Sequence, residues 1–453
     1  MTLFDPLFGS AAMYEVFSDF SRVQRMLDFE AALARAEASC GVIPSSAAEA
    51  IASKCNARLI DVSGLAAATA LSLNPAIPLV KQLTALVEKE NHDAAQFVHW
   101  GAASQDANDT GLVLQMRQAF DLLQAGLNAL CESLADLAQK YRSAPMAGRT
   151  LMQHASPTTF GMKVAGWFDA MSRHRARLAE TRRRVLVLQF GGAVGTLAAL
   201  REKGMKVAEA LAKEIDLALP AIPWHTQRDR MAEVATTLGL CTGSIGKIAR
   251  DISLHSQTEI GEISEPSAEG RGGSSAMPQK RNPVSAGIIL AAATRVPGLV
   301  STMLSAMVQE DERGLGNWQA EWETLPEIFR LTAGALHQLL TIVPHLEIDT
   351  KRMRQNLDAT RGLIFAEAIT ITMAAHIGKP ASLKLIEAAS REVRESGKHL
   401  REVLASNSSV KKHLSVAELN RLFEPENYFG QAETFVDRVV EGSRKVAPLA
   451  KDN

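Results

Sequence analysis

Apolar residues recur along the chain at intervals of three and four, and polar or Gly/Pro breaks cut that rhythm into helices. Leu27, Ala31, Ala34 and Ala38 share one stripe of a helix expected over 28–40, which Gly41 and Pro44 end. Further helices are expected over 47–56, 79–90, 112–141, 205–217, 228–255 and 327–342. Another starts at Ser156 and Pro157, read as N-cap and first-turn residues, and runs through Trp167 to about 184. Alternating patterns of the kind that mark strands are few. The run 285–308 is apolar on all sides, but Arg295, Pro297 and several hydroxyl residues interrupt it, so it reads as a helix at the centre of a large bundle and not as a membrane span. Beyond about Lys351 the helices shorten. The pattern predicts an all-α protein in which a long central helical bundle (111–350) lies between smaller helical N-terminal (1–110) and C-terminal (351–453) domains.

Composition supports helices over sheets: 46% of the 453 residues are hydrophobic but only 5% are aromatic, so the core is built from Ala, Leu, Ile, Val and Met. Forty-nine basic residues against fifty acidic ones give a net charge of −1, which points to neither nucleic acid nor a membrane surface as partner. Any anion site must therefore be local. Cys40, Cys55, Cys131 and Cys241 form no CxxC or metal pattern and read as buried thiols in a reducing compartment. The first residues carry no basic leader before an apolar core, and a cytoplasmic location is expected.

Chemistry concentrates in three polar islands. The first is Gly272-Gly273-Ser274-Ser275-Ala276-Met277-Pro278-Gln279-Lys280-Arg281-Asn282-Pro283, a Gly-flexed loop with two hydroxyls and two cations. Asn282 is suited to cap the next helix and Pro283 to open it, so unpaired N–H groups and Lys280 together fit a carboxylate. Read blandly, it is a capped surface turn. The second island runs from His99 through Ser104, Asp106, Asp109 and Thr110, and its bland reading is an N-cap and first turn. His92 and His99 have neither the spacing nor the carboxylate of a known metal site, and no metal is expected. The third is Gly148-Arg149-Thr150-Leu151-Met152-Gln153-His154-Ala155. Two other features read as ordinary structure: the Arg-rich run 173–184 as a solvated helix end, and 185–195, whose glycines lack dinucleotide spacing, as a turn.

The three islands resemble, in order, the signatures of the fumarase/aspartase superfamily. The loop matches G-S-S-x-M-P-x-K-x-N-P at every fixed position. The second island resembles H-x-G-x-T-S-x-D-x-x-D-T of the adenylosuccinate lyase and carboxymuconate cycloisomerase branches, with Ala103 in place of the threonine. The third resembles G-R-T-H-x-Q-x-A, but Leu151 stands where many members carry an acid histidine, and His154 lies three positions on. The resemblance implies a lyase-type enzyme without cofactor or metal, in which Ser275 exchanges the proton alpha to a carboxylate and Lys280 stabilises the resulting charge. It further implies that Ser274, Asn282, His99, Ser104, Thr150, Gln153 and, more weakly, Arg149 hold a small tricarboxylate substrate. A homotetramer with shared active sites is also implied. Arg313 is a further candidate, for substrate or for a salt bridge.

The departure at Leu151 selects among branches. Hydroxide, whose conjugate acid has a pKa of about 15.7, leaves poorly near pH 7 unless a general acid worth roughly 10²–10⁴ assists. A carboxylate, with a pKa of about 4, leaves unaided. A member lacking the histidine fits a lactone-forming reaction in which a substrate carboxylate adds across a muconate double bond. The alternatives are an adenylosuccinate-type C–N lyase and an inactive structural homologue.

Overall fold

The computed structural model describes residues 3–267, 270–273, 276–277 and 279–445. It is all-α, with long helices Ser104–Lys140, Phe160–Val185, Asp229–His255, Val284–Ser305 and Asn317–Ile342, and with Asp19–Ser39 before them. The longest spans ~55 Å at about 1.5 Å per residue. Among the described residues, strands occur as two short antiparallel pairs, Pro145–Thr150 with Gln153–Thr159 and Ile263–Ser264 with Glu347–Ile348. The chain divides into two compact units: 1–127, 174–245 and 288–337 form the first, and 128–173, 246–287 and 338–453 the second.

In the first unit the helix expected from 112 begins eight residues earlier, at Ser104. The polar cluster is thus its first two turns, and it points inward: Gln105, Asp106, Asp109 and Thr110 are buried. Asp106 Oδ2 accepts from the Ala103 backbone N–H at 2.9 Å, one half of a capping box, and from Gly192 N–H at 2.9 Å. Its Oδ1 takes Gly191 N–H at 3.1 Å and lies 2.8 Å from His225 Nε2. The glycine stretch is therefore a structural turn fastened to the helix start, and Gly192, at φ +68°, is the residue that lets its N–H turn toward the carboxylate. Arg313, a substrate candidate from sequence, donates to the Ala193 carbonyl of the same turn at 3.1 Å.

Asp109 is met by both terminal nitrogens of Arg228 at 2.7 and 3.1 Å and by Trp318 Nε1 at 3.1 Å. Arg228, buried, also pairs with Glu321. Burial opposes the guanidinium charge, but Asp109 and Glu321 outweigh it and hold the arginine above its ordinary value. This network corrects one helix boundary. A start at Glu327 is expected from sequence, whereas the helix begins at Asn317 and runs through Pro326, its early turns fixed through Trp318 and Glu321. Proline cannot donate to the carbonyl four residues back. That carbonyl, Trp322 O, instead accepts from Arg22 at 2.8 Å.

In the second unit, Ala147 packs with Leu357, Phe365, Ile369 and Leu404 of the C-terminal helices. The hairpin carrying Ala147 corrects the reading of Ser156 and Pro157 as a helix start: both lie in a strand, and the helix starts at Phe160. Pro157 pairs with Ala147 beside a register shift at Gly148, the irregular position where a strand tolerates proline.

Removing one partner from a buried ion pair leaves the others desolvated and unpaired, at a cost of about 3–5 kcal/mol. Arg228→Met should therefore lower the urea midpoint of the first unit's unfolding by that equivalent. An unchanged midpoint would show that Asp109 and Glu321 find other partners.

Candidate active site

The signature loop is clipped at its base, where Asn282 N–H donates to Gly272 O at 2.9 Å. Lys280 and Asn282 line a cavity of about 250 Å³ with Ser256, Ser264, Gly272 and Gly273. Ser274 and Ser275 lie outside the described residues. The loop's cations differ in their commitments. Arg281 makes two 2.8 Å bonds to Glu347 and a third to the Glu265 carbonyl. Arg271 donates to Ser285 Oγ at 2.5 Å and sits 3.5 Å from Glu265. Lys280 is exposed and makes no ion pair among the described residues.

One sequence expectation is corrected at the helix that follows. It starts at Val284, and the group on its first amides is the protein's own carboxylate: Glu265 accepts from Ser285 N–H at 3.1 Å and Ala286 N–H at 2.8 Å. The cap is thus Glu265 and not Asn282, and those N–H groups are not open to a ligand.

Thr150 and Gln153 pair across the hairpin, with Leu151 and Met152 as its two-residue tip. All four are exposed, Leu151 by 96%. Arg149 sits one pair further back and is committed: it makes a two-pronged bond to Glu262 at 3.0 and 2.7 Å. Glu262 also accepts from Asn356 at 2.7 Å and lies 2.6 Å from His255 Nδ1. Burial alone would raise this carboxyl; the bonds from His255, Arg149 and Asn356 win and hold it at about 2. Burial keeps His255 below its ordinary value, so the ring is neutral and donates from Nδ1. His154 faces Arg149 across the hairpin, and burial and the Arg149 charge hold it, too, below its ordinary value.

Of the remaining sequence candidates, both in the first unit, Ser104 accepts from Asn74 Nδ2 at 2.8 Å and keeps its own hydroxyl proton to donate. His99 is tied to Glu30, with Nδ1 2.6 Å from Oε1. The structure thus brings Lys280 with Asn282 to one cavity and Arg149, Thr150 and Gln153 to one hairpin, while His99 and Ser104 lie close in sequence at the start of the longest helix. Sequence reading missed Glu30, Glu262 and Glu265. A signal for the first existed: Glu30 falls on the apolar stripe of its own helix, where an acid needs a partner from elsewhere. Among the described residues, no three His, Cys, Asp or Glu side chains form a group able to hold a metal ion.

A family profile described as "Lyase" matches residues 9–298, and one described as "Adenylosuccinate lyase C-terminus" matches 362–439. The chain is 55% identical over 438 residues to 3-carboxy-cis,cis-muconate cycloisomerase of Pseudomonas aeruginosa, covering 97% of this chain and 95% of that one. It is 51% identical to the enzyme of that name in Bradyrhizobium diazoefficiens, covering 97% of both. Among solved structures, the 3-carboxy-cis,cis-muconate lactonizing enzyme of Pseudomonas putida matches with a TM-score of 0.94 and 52% identity, covering 98% of this chain and 99% of the other.

Folding depresses Glu262 from about 4.5 to about 2, so its stabilisation is complete above the unfolded value and is lost as pH falls through that window. Glu262→Gln should lower the melting temperature at pH 7 and flatten its decline between pH 5 and pH 2. Parallel curves for the two proteins would place the acid sensitivity elsewhere.

Proposed function

The chain belongs to the lyase family of those two profiles, the fumarase/aspartase superfamily, and on that premise we propose that it interconverts 3-carboxy-cis,cis-muconate and 4-carboxymuconolactone. A carboxylate oxygen of the substrate attacks one carbon of a double bond, and the C–O bond forms as the π pair moves to the neighbouring carbon. That pair is stabilised by the adjacent carboxylate as an aci-carboxylate until the carbon takes a proton. In reverse the proton leaves first and the carboxylate is the leaving group.

The observation that carries this reading is Leu151. An apolar side chain occupies the hairpin tip where the signature otherwise places an acid histidine, and the nearest histidine in sequence, His154, is held toward its neutral form. Neither side chain is suited to protonate a leaving group at neutral pH. A leaving carboxylate needs no such help, whereas an amine or hydroxide does.

Ser275 is the group that moves the proton at carbon. Lys280 meets the developing negative charge, with its neighbours Arg271 and Arg281 already paired. Asn282, Ser274, Thr150, Gln153, Ser104 and His99 hold the substrate carboxylates, and Arg149 acts behind them through Glu262. The enzyme works as a soluble cytoplasmic homotetramer whose sites are shared between subunits. Two features support the shared assembly: only 28% of the most apolar stretch of Val284–Ser305 is buried within the chain, and all four residues of the tip Thr150–Gln153 are exposed.

Adding carboxymuconate should bleach its conjugated-diene absorbance, and adenylosuccinate should release no fumarate. The converse pair of results would assign the chain to the C–N lyases. Lys280→Met should lower kcat/KM by the equivalent of ~3 kcal/mol, the size of one electrostatic catalytic contact. Ser275→Ala should abolish most activity in both directions. His154→Ala should retain activity within about tenfold, short of a general-acid effect, with no limb of the pH profile depending on it. A thousandfold loss with folding intact would make His154 the acid.

A further inference from the structure

The helix Asp19–Ser39 buries two carboxyl groups on one face, Glu30 at 2% exposure and Glu37 at 0%. They are treated differently. Neither oxygen of Glu37 has a hydrogen-bond partner, and burial, followed by repulsion from Glu30, pushes it up to about 9, so it is neutral at pH 7. Glu30 instead reaches the loop between 95 and 104, where its Oε1 lies 2.6 Å from His99 Nδ1. His99 occupies a left-handed conformation, φ +60°, two residues before Gly101 at φ +72°. Histidine enters this region more readily than most side chains, but the conformation still costs a non-glycine residue and is kept by its surroundings. Its other ring nitrogen, Nε2, has no protein partner among the described residues, and the side chain remains 16% exposed.

We infer that Glu30 is a positioning residue for substrate capture: it keeps the Nδ1 proton of His99 in place and leaves Nε2–H as a charged donor for a carboxylate of the substrate. The inference deepens the reading of the preceding subsection and rests on it for the identity of that carboxylate. The electrostatics follow from the geometry. A neutral ring with its proton on Nδ1 would present a lone pair at Nε2 and repel an anion, whereas an imidazolium donates from both nitrogens. Burial opposes that charge, but Glu30, aided by the more distant Asp106 of the 104–140 helix, prevails and holds His99 above its ordinary value. The other titratable groups that feel Glu30 are Glu37 on its own helix and the Cys55 thiol, which burial pushes up and which also feels Asp28 and Arg35, the latter paired with Glu214 of the Gly204–Glu214 helix. None of these replaces His99 as the partner of Glu30. Because folding raises His99, its charge and the binding it supports are present below its ordinary value and fade only as pH climbs past the raised one.

The test compares the intact enzyme with Glu30→Gln by imidazole ¹⁵N spectra and by steady-state kinetics across pH. In the wild type His99 should be an imidazolium at pH 7. In Glu30→Gln its titration should fall by at least one pH unit, KM should rise at least tenfold at pH 7.5 with kcat within threefold, and the rise of KM with pH should start correspondingly lower. A purely structural role for Glu30 would lower the amount of active enzyme without moving that limb. A neutral His99 at pH 7 in the wild type, measurable even if the variant fails to fold, would overturn the inference, as would superimposable titrations of the two proteins. The spectra need no substrate, so failure of the wild type to bleach carboxymuconate would remove the proposed reaction and leave the Glu30–His99 pairing to be decided by its own result.

Discussion

A carboxylate taken out of water must be met by donors, and the first two turns of the 104–140 helix bury two of them. Leaving either unpaired would cost several kcal/mol, a large share of a protein's net stability. Asp106 and Asp109 therefore gather segments far apart in sequence: the turn at Gly191 and Gly192, His225, Arg228, Trp318 and Glu321. The glycine turn, the early turns of the 317–342 helix and the start of the longest helix all depend on these two side chains. This also settles why part of a signature that looks like a ligand site is scaffold. Its acids are spent inside the protein, and its open chemistry is left to His99 and Ser104.

The same accounting sorts the cations of the second unit. Arg149 answers Glu262, Arg281 answers Glu347, and Arg271 lies beside Glu265, which also occupies the amides at the start of the 284–305 helix. Each arginine thereby becomes a brace, stiffening the hairpin or the base of the signature loop, and loses its value as an anion trap. Lys280 is left with its charge uncompensated by any described carboxylate. A site that binds polyanions gains specificity this way, because a loop bearing three uncommitted cations would attract carboxylates of every shape.

The helices were legible in the sequence because a stripe of Leu and Ala at three- and four-residue spacing has few other uses, and the core positions Leu27 and Ala34 are buried where the stripe places them. The hairpin of 145–159 was not legible. Its buried residues are two neighbours on the first strand, Met146 and Ala147, and a proline and a threonine on the second, Pro157 and Thr159, which set no apolar strand period, and its Ser156-Pro157 pair mimics a helix start. The first turns of the 317–342 helix are hard to read for a related reason: Pro326 is a local breaker, and the contacts that override it come from Arg22, Asp109 and Arg228, hundreds of residues away in part. The signature residues could be named from sequence. What each is bonded to could not, since Glu30, Glu262 and Glu265 carry no motif and are defined only by the fold.

Leu151 gains meaning from its backbone. A two-residue hairpin turn with both residues at positive φ prefers Asn-Gly, yet here Leu151 stands at +49° and Met152 at +66°. Asn, Asp and His enter this region several times more readily than other side chains, so leucine is a poorer occupant of the tip than histidine on conformational grounds alone. Nor does leucine recover the difference by packing, for it is almost wholly exposed within the chain. Local stability therefore gives no reason to prefer leucine over histidine at this position. What leucine changes is chemistry, removing a proton donor from the end of a braced hairpin, and that change costs nothing only in a reaction whose leaving group departs as a stable anion.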